Sequence, residues 1–355
     1  MHSMASNWRI TEDKRLGSNC PCFIIAEIGQ NHQGDMNIAK TLIKCAMESG
    51  ADCVKFQKSC LYEKFTKQAL EAPYKNKNSW GQTYGDHKKH LEFSEDQYLI
   101  LQKYAEEMGI LFTASAMDPI SLDFLLSLSV PFIKIGSGDA DNILLIEKAA
   151  ATQVPLIIST GMQTMESVEN IYNLVKKFHS QFALLHCISA YPTPSTEANI
   201  NVITKFRERF SDIVIGYSGH EENYNITLAA VALGAKIVER HITLDNSWKG
   251  NDHKCSLTPN NFKNMVDSIR EIEGALGNGI KQIQPCEIDC YNKLGKCVVA
   301  AKFLPKGHTL KSTDIKVKVA RLKGITPSNI YKVLKKKLKH NLDEDQVINA
   351  EDLET

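Results

Sequence analysis

Ile213-Val214-Ile215-Gly216-Tyr217-Ser218-Gly219-His220 is a β-branched run that ends in a histidine. Tyr224–Gly234 follows with apolar residues at helical spacing, and then comes Lys236-Ile237-Val238-Glu239-Arg240-His241-Ile242-Thr243, a second β-like run. A strand, a helix and another strand in succession favour two parallel strands joined by a crossover helix. The same unit recurs upstream. Cys22–Gly29, Cys53–Lys58, Leu111–Ala116, Phe132–Ser137, Pro155–Thr160 and Phe182–Ser189 read as further strands. Segments of helical spacing lie among them: Ile38 to Met47, Ser94–Gly109, Ser121–Leu128 and Met165–Val175, with Asn260–Leu276 closing the series. Eight such units within about 250 residues predict an α/β fold closed into a (β/α)8 barrel, the TIM barrel. A doubly wound open sheet is the rival, but evenly spaced units fit closure better.

The chain has 355 residues, 43% of them apolar, 23% charged, and a net charge of +1. That length holds one large core and a second small module. The balanced charge gives no reason to expect nucleic acid or an anionic membrane as partner. No apolar run is long enough to cross a bilayer, and Met1–Asn19 lacks the apolar stretch of a secretory signal, so a cytoplasmic protein is expected. The ten cysteines include no pair at zinc-knuckle spacing and read as free thiols.

The expected organisation is an N-terminal extension over 1–21, a barrel over 22–276, a linker over 277–293, and a β-rich module over 294–355. The linker carries Gly-Asn-Gly and a proline, and the module carries short β-like runs at Cys297–Lys302 and Ile315–Val319. Ser59–Glu92, rich in Lys, Tyr, Asn and Trp, is a long connection leaving the C-terminal end of the second strand. Barrel enzymes place their chemistry on that face, which predicts a lid.

The strand ends carry the chemistry. Residues two apart in a strand face the same way. The same-face pairs near the C-terminal ends are Lys55 with Gln57, Thr113 with Ser115, Ser189 with Tyr191, Ser218 with His220, and Glu239 with His241. Glu27, Lys134 with Ser137, and Ser159 with Thr160 complete the ring. A purely structural barrel would supply Val, Ile or Leu at these positions. Lysines there are costly unless they face an anion or react covalently, so Lys55 and Lys134 point to a phosphate or carboxylate pocket, or to a Schiff base. His220 and His241 end neighbouring strands and suit a divalent metal ion with open positions for water and substrate. His32, His186 and His253 are weaker candidates.

Ala26-Glu27-Ile28-Gly29-Gln30-Asn31-His32, Val54-Lys55-Phe56-Gln57, Lys134-Ile135-Gly136-Ser137-Gly138, Ser159-Thr160-Gly161-Met162, Gly216–His220 and Val238-Glu239-Arg240-His241 occur in one order. In that order they resemble the sialic acid synthases, from Cys22 onward. The insertion with Ser79–Gly85 and Leu91–Ser94 resembles the animal branch of that family. The tail, with Leu294-Gly295-Lys296 and Leu304-Pro305-Lys306-Gly307, resembles its antifreeze-like (SAF) domain. The resemblance implies condensation of phosphoenolpyruvate with N-acetylmannosamine 6-phosphate, with mannose 6-phosphate as a further substrate giving the deaminated product; the alternative is unphosphorylated N-acetylmannosamine. It implies phosphoenolpyruvate against Lys55, Gln57, Thr113, Lys134, Ser137, Ser159 and Ser218. It further implies Mn2+ or Mg2+ on His220 and His241, a proton-handling Glu27, and an orienting Glu239. Asp139, Ser189, Tyr191 and Asp252 fall toward the sugar, and the SAF module reaches over the mouth of a partner in a domain-swapped homodimer.

Ser189 stands where bacterial members often have Asn, Asp139 where they often have Glu, and Ala320, beside Arg321, where they place a basic residue. Lys335 replaces a glycine common in the module. A phosphorylated sugar would need cationic partners, and His87, Lys88, Lys89 and His90 could supply them or form a solvated charge run. Two other readings stay open: a Schiff-base aldolase run by Lys134, and a non-catalytic sugar-phosphate-binding protein.

Overall fold

The structure, a computed structural model, describes residues 8–11, 14–17 and 19–354; the first seven residues of the N-terminal extension lie outside the described residues. The chain divides into Met1–Gly277 and Asn278–Thr355.

The first unit opens with a hairpin of β1 (Trp8–Arg9) and β2 (Arg15–Leu16). Eight strands then form a closed barrel: β3 (Phe23–Gly29), β4 (Cys53–Lys58), β5 (Leu111–Ala116), β6 (Ile133–Ile135), β7 (Leu156–Ser159), β8 (Phe182–Cys187), β9 (Val214–Gly219) and β10 (Ile237–His241). Neighbours pair in parallel throughout, and β10 closes on β3 with His241 opposite Glu27. The barrel expectation therefore holds. β6 is shorter than the sequence suggests, because the chain leaves it at Gly136 and tightens into a 3-10 turn over Ser137–Asp139.

Alternation sorts each strand into two faces. Ile24, Ala26, Val54, Phe56, Ile133, Ile158 and Val238 point outward into the layer between strands and helices. Phe23, Ile25, Cys53, Phe132, Ile157, Leu185, Val214 and Ile237 point inward, near the N-terminal ends of the strands. Trp8 and Leu16 of the hairpin pack against this inner layer and are themselves buried. The extension thus closes the floor of the barrel with apolar surface.

Helices Ile143–Ala151 and Asn201–Arg209 complete the outer ring without having been marked in the sequence. The Ser59–Glu92 connection is also more ordered than a loop. It holds short helices at Leu61–Lys64, Lys67–Glu71 and Tyr84–Leu91, the last begun by a reciprocal Thr83–Asp86 capping box. His87 is its hub, with ring centroids 4.7 Å from Tyr74 and 5.5 Å from Trp80. Glu92 anchors the end of the segment by accepting from Ser59 Oγ at 2.8 Å and pairing with Lys58.

The second unit pairs β11 (Lys296–Ala300) with β12 (Ile315–Val319) antiparallel, around Val298, Leu304, Leu310, Leu338, Leu342 and Ile348. The stretch read as a linker carries a helix at Ile288–Leu294. Lys335 sits at φ +65°, so the turn keeps a left-handed shape that suits glycine.

Candidate active site

The C-terminal ends of the barrel strands surround a cavity of about 370 Å³. Every residue assigned to phosphoenolpyruvate, the sugar or the metal lines it except Thr113; Thr160 is also absent from the lining, its hydroxyl donating to the Leu185 carbonyl at 2.9 Å. Thr113 lies deeper, and its hydroxyl donates to the Phe132 carbonyl at 2.9 Å. Ser115, two residues nearer the mouth, takes its place on the cavity wall.

At the floor, Lys55 and Lys134 are both buried. Lys55 Nζ lies 2.6 Å from Glu27 Oε2, 3.6 Å from Glu239 Oε1, and donates to Ser115 Oγ at 2.9 Å. Lys134 Nζ donates to Ser159 Oγ at 2.8 Å and to the Ile135 carbonyl at 3.0 Å, with Glu239 Oε2 at 3.7 Å. Burial alone would lower the Lys55 pKa, but the carboxylates of Glu239 and Glu27 outweigh it and hold the ammonium above its ordinary range. Lys134 goes the other way: burial dominates and Glu239 offsets it only in part. Burial raises Glu27 to about 7 against the pull of Lys55, and Gln57 fixes its other oxygen at 2.8 Å. Such a carboxyl can exchange a proton near neutral pH. Glu239 stays on the ionised side, because Lys134 and Lys55 overcome its burial.

Beside this floor Gly161 has no room for a side chain. A Cβ there would fall 2.2 Å from Ser189 Oγ and 2.8 Å from Ser137 Oγ, and the Gly161 amide donates to Ser137 Oγ at 3.0 Å. The Ser189 hydroxyl is buried without a partner and borders the cavity, an arrangement that suits a ligand contact.

At the ends of β9 and β10 the rings of His220 and His241 have centroids 5.3 Å apart, and Tyr191 lies 4.1 Å from His220. His220 Nδ1 is 2.8 Å from the Ile188 carbonyl; a carbonyl only accepts, so Nδ1 carries the hydrogen and Nε2 is left for a ligand. His241 is held well below its ordinary pKa by burial and by the His220 charge, hence neutral, and its Nδ1 is buried with no hydrogen-bond partner. Asp252 Oδ2 stands 3.8 Å from that nitrogen. His220 with its Nε2 free and a neutral His241 with an orphaned nitrogen form a pair that fits a divalent ion. Among the described residues no group of three or more His, Cys, Asp or Glu is set to hold a metal, so the fit is to an ion with two protein ligands. Behind the imidazoles, buried Arg240 donates to Glu221 Oε1 at 3.0 Å and Thr227 Oγ1 at 2.8 Å. This pair ties together the residue after His220 and the residue before His241.

The other histidines lie elsewhere. His32 stacks on Phe93 at 4.1 Å, and burial lowers it to about 3. His186 Nε2 donates to the Ala198 carbonyl, and His253 Nδ1 is engaged by Thr243 Oγ1. All ten cysteines are free. Cavity residues to which neither the strand pattern nor the resemblance assigned a role are Gln30, Lys64, Met117, Gly136, Gly138, Met162, Cys187 and Asn251, together with Lys88 from the charge run. Gln30 stands within a quoted motif; Lys64, alone in a short helix, gives no sequence signal.

The NeuB family matches residues 42–281 and the SAF domain residues 295–354. The chain is 52% identical to the N-acetylneuraminate-9-phosphate synthase of Homo sapiens, over 95% of this chain and 94% of that protein. It is 48% identical to the Drosophila melanogaster protein of the same name, over 92% and 94%. Among solved structures, the N-acetylneuraminic acid (sialic acid) synthetase of Leptospira borgpetersenii superimposes with a TM-score of 0.73 at 32% identity, covering 83% of this chain and 99% of that one. The barrel unit and the β-rich unit together place this chain in the NeuB family of sialic acid synthases, with a C-terminal SAF domain.

Proposed function

We propose that this chain condenses phosphoenolpyruvate with N-acetylmannosamine 6-phosphate, giving N-acetylneuraminate 9-phosphate and inorganic phosphate. Phosphoenolpyruvate adds three carbons ahead of the sugar's own. A phosphate on the sixth carbon of the hexosamine therefore ends on the ninth of the product, which is the product named for the human and fly relatives. The observation that carries the reading is one cavity in which buried Lys55 and Lys134, among serine hydroxyls, face His220 and His241.

In this reading Lys55, Lys134, Ser137, Ser159 and Ser218 receive the carboxylate and phosphate of phosphoenolpyruvate. His220 and His241 would hold Mg2+ or Mn2+, which when bound polarises the sugar aldehyde. C3 of phosphoenolpyruvate attacks the aldehyde carbon, whose oxygen takes a proton. Water adds to C2 and gives up a proton, with Glu27 placed to take it or to orient the water. The tetrahedral intermediate then expels phosphate and leaves the keto acid. Glu239 holds both ammonium groups toward the floor, and Tyr191, Asp252, Asp139 and Ser189 face the sugar. No covalent bond to the enzyme is needed.

The proposal also includes a cytoplasmic location and, from the family resemblance, a domain-swapped homodimer in which the SAF unit covers the partner's barrel. No described helix is long and apolar enough to cross a membrane. Deleting residues after Lys293 should leave a folded barrel with little synthase activity; full activity would remove the cap from the mechanism.

The deciding experiment is phosphate release from phosphoenolpyruvate with N-acetylmannosamine, its 6-phosphate, and mannose 6-phosphate, each with and without Mg2+ or Mn2+. Release with none of these sugars would overturn the proposal. Borohydride capture of a substrate on Lys134, with turnover indifferent to EDTA, would install the Schiff-base reading instead.

A further inference from the structure

The charges at the floor of the cavity are already matched. Lys55 and Lys134 face Glu27 and Glu239, with all three ion-pair distances at 3.7 Å or less. Two further ammonium groups line the same cavity without such matching: Lys64, at the end of the helix Leu61–Lys64, and Lys88, within Tyr84–Leu91. Both belong to the inserted segment between β4 and β5. Neither has a carboxylate within ion-pair distance among the described residues. Lys64 Nζ touches Met117 Sδ at 2.8 Å, and Lys88 Nζ reaches Gln30 Oε1 at 3.3 Å.

Their surroundings penalise the positive charge. Burial lowers the pKa of Lys64, and the carboxylates of Asp139, Asp118 and Glu92 act on it only from a distance. Burial also lowers Lys88, and the next cause is repulsion from Lys64 itself; Asp252 and Glu92 oppose it. Two half-buried cations that repel each other beside a cavity are stabilised by an anion between them. A second observation comes from the neighbouring residue. His87 is buried, its Nε2 has no hydrogen-bond partner, and it borders a small space that shares Gln30, Asn251 and Asp252 with the main cavity. Its ring is pinned between Tyr74 and Trp80, so the helix that carries Lys88 is held in place.

We infer that Lys64 and Lys88 form the receptor for the terminal phosphate of the sugar substrate, so that the inserted segment sets the preference for a phosphorylated over a free sugar. The inference rests on the proposed condensation and assigns its specificity to two residues outside the barrel strands. The floor lysines are paired and lie at the strand ends, so they serve phosphoenolpyruvate. The unmatched pair lies on the segment above, where the far end of a hexosamine would reach. Asp139 and Asp252, which line the same cavity, would face the sugar hydroxyls.

The test is steady-state kinetics on the full-length chain with Lys64→Met and Lys88→Met, and with Lys64→Arg and Lys88→Arg as charge-keeping controls. The substrates are N-acetylmannosamine 6-phosphate, N-acetylmannosamine and phosphoenolpyruvate, and thermal melting checks the fold. Each methionine variant should raise KM for the phosphorylated sugar by about tenfold to a hundredfold, the worth of a charge-assisted contact. The preference for phosphorylated over free sugar should fall by the same factor, and the arginine variants should recover much of it. KM for phosphoenolpyruvate should move less than about twofold. A loss carried by KM for phosphoenolpyruvate would assign these lysines to the enol phosphate and overturn the inference. Equal losses on both sugars would make the lysines structural and overturn it too. If the unaltered protein releases phosphate with neither sugar, the condensation itself fails, a result distinct from either.

Discussion

Glu27 Oε2 lies 2.6 Å from Lys55 Nζ, with both side chains buried at the floor of the barrel mouth. Burial raises the carboxyl to about 7, whereas its Lys55 partner draws it down. A group so balanced can hold or release a proton at neutral pH, which a surface glutamate cannot. Glu27→Gln keeps the shape and the contact with Gln57 but removes the exchangeable proton. It should lower kcat by about a hundredfold to ten-thousandfold with little change in KM for phosphoenolpyruvate. Phosphate-release kinetics would show this, and a kcat within about threefold of the parent would deny Glu27 any role in proton transfer.

His220 and His241 supply the metal prediction. His220→Ala should leave the melting curve almost unchanged and abolish turnover, because it removes one of the two imidazoles proposed to hold the ion. Treatment with EDTA should silence the unaltered protein, and added Mn2+ or Mg2+ should restore it. Calorimetric titration with Mn2+ gives a readout independent of turnover: binding to the unaltered chain and none to His220→Ala. Binding that survives the substitution would place the ion elsewhere.

Much of this site can be read from spacing because strand alternation and strand ends are local properties. Glu27, Lys55, Lys134, Ser218, Glu239 and His241 share the inward face of their strands with Phe23, Ile25, Cys53, Phe132, Val214 and Ile237. Only height along the barrel separates chemistry from packing. Alternation reports the face and not the height, which is why Thr113 is inward yet too deep, its hydroxyl spent on Phe132. The hairpin that plugs the floor has strands of two residues, too short for any periodicity. Ile143–Ala151 is apolar on nearly every side and so lacks a helical stripe. Lys64 and Lys88 come from a segment whose shape depends on aromatic packing around His87. At Lys335 the departure from glycine leaves the left-handed turn in place, at φ +65°.

Acid should affect the second unit through Asp314. Its carboxylate is buried, accepts from the Lys311 amide at 3.0 Å, and meets His308 Nε2 at 2.8 Å, with Lys302 at 3.2 Å. The His308 contact is the main reason its pKa falls from 3.8 to about 2. Since the folded value lies below the unfolded one, the stabilisation is complete above pH 3.8 and is lost as pH falls toward about 2. Asp314→Asn should cost about 2 kcal/mol at neutral pH and flatten the acid dependence in that window. Urea titrations of both chains across that range would check this, and parallel pH profiles would remove Asp314 from the acid response.

Arg240 and Glu221 give the last prediction. Both are buried, and Arg240 donates to Glu221 Oε1 at 3.0 Å, to Thr227 Oγ1 at 2.8 Å and to the Asn223 carbonyl at 2.9 Å. Glu221 also accepts from Tyr217 Oη at 3.0 Å and from Thr227 Oγ1 at 2.8 Å. Removing only the guanidinium strands a carboxylate in the interior, so Arg240→Met should destabilise the protein by about 3–5 kcal/mol. Pairing it with Glu221→Gln removes the stranded charge, and the double variant should be more stable than Arg240→Met alone. The imidazoles flanking this pair would still lose their fixed spacing, so Mn2+ affinity should stay weakened in the double variant after stability returns. Urea unfolding and Mn2+ titration on the same three chains separate the two effects. Recovery of stability and Mn2+ binding together would make the pair a contributor to folding alone, with no part in setting the distance between His220 and His241.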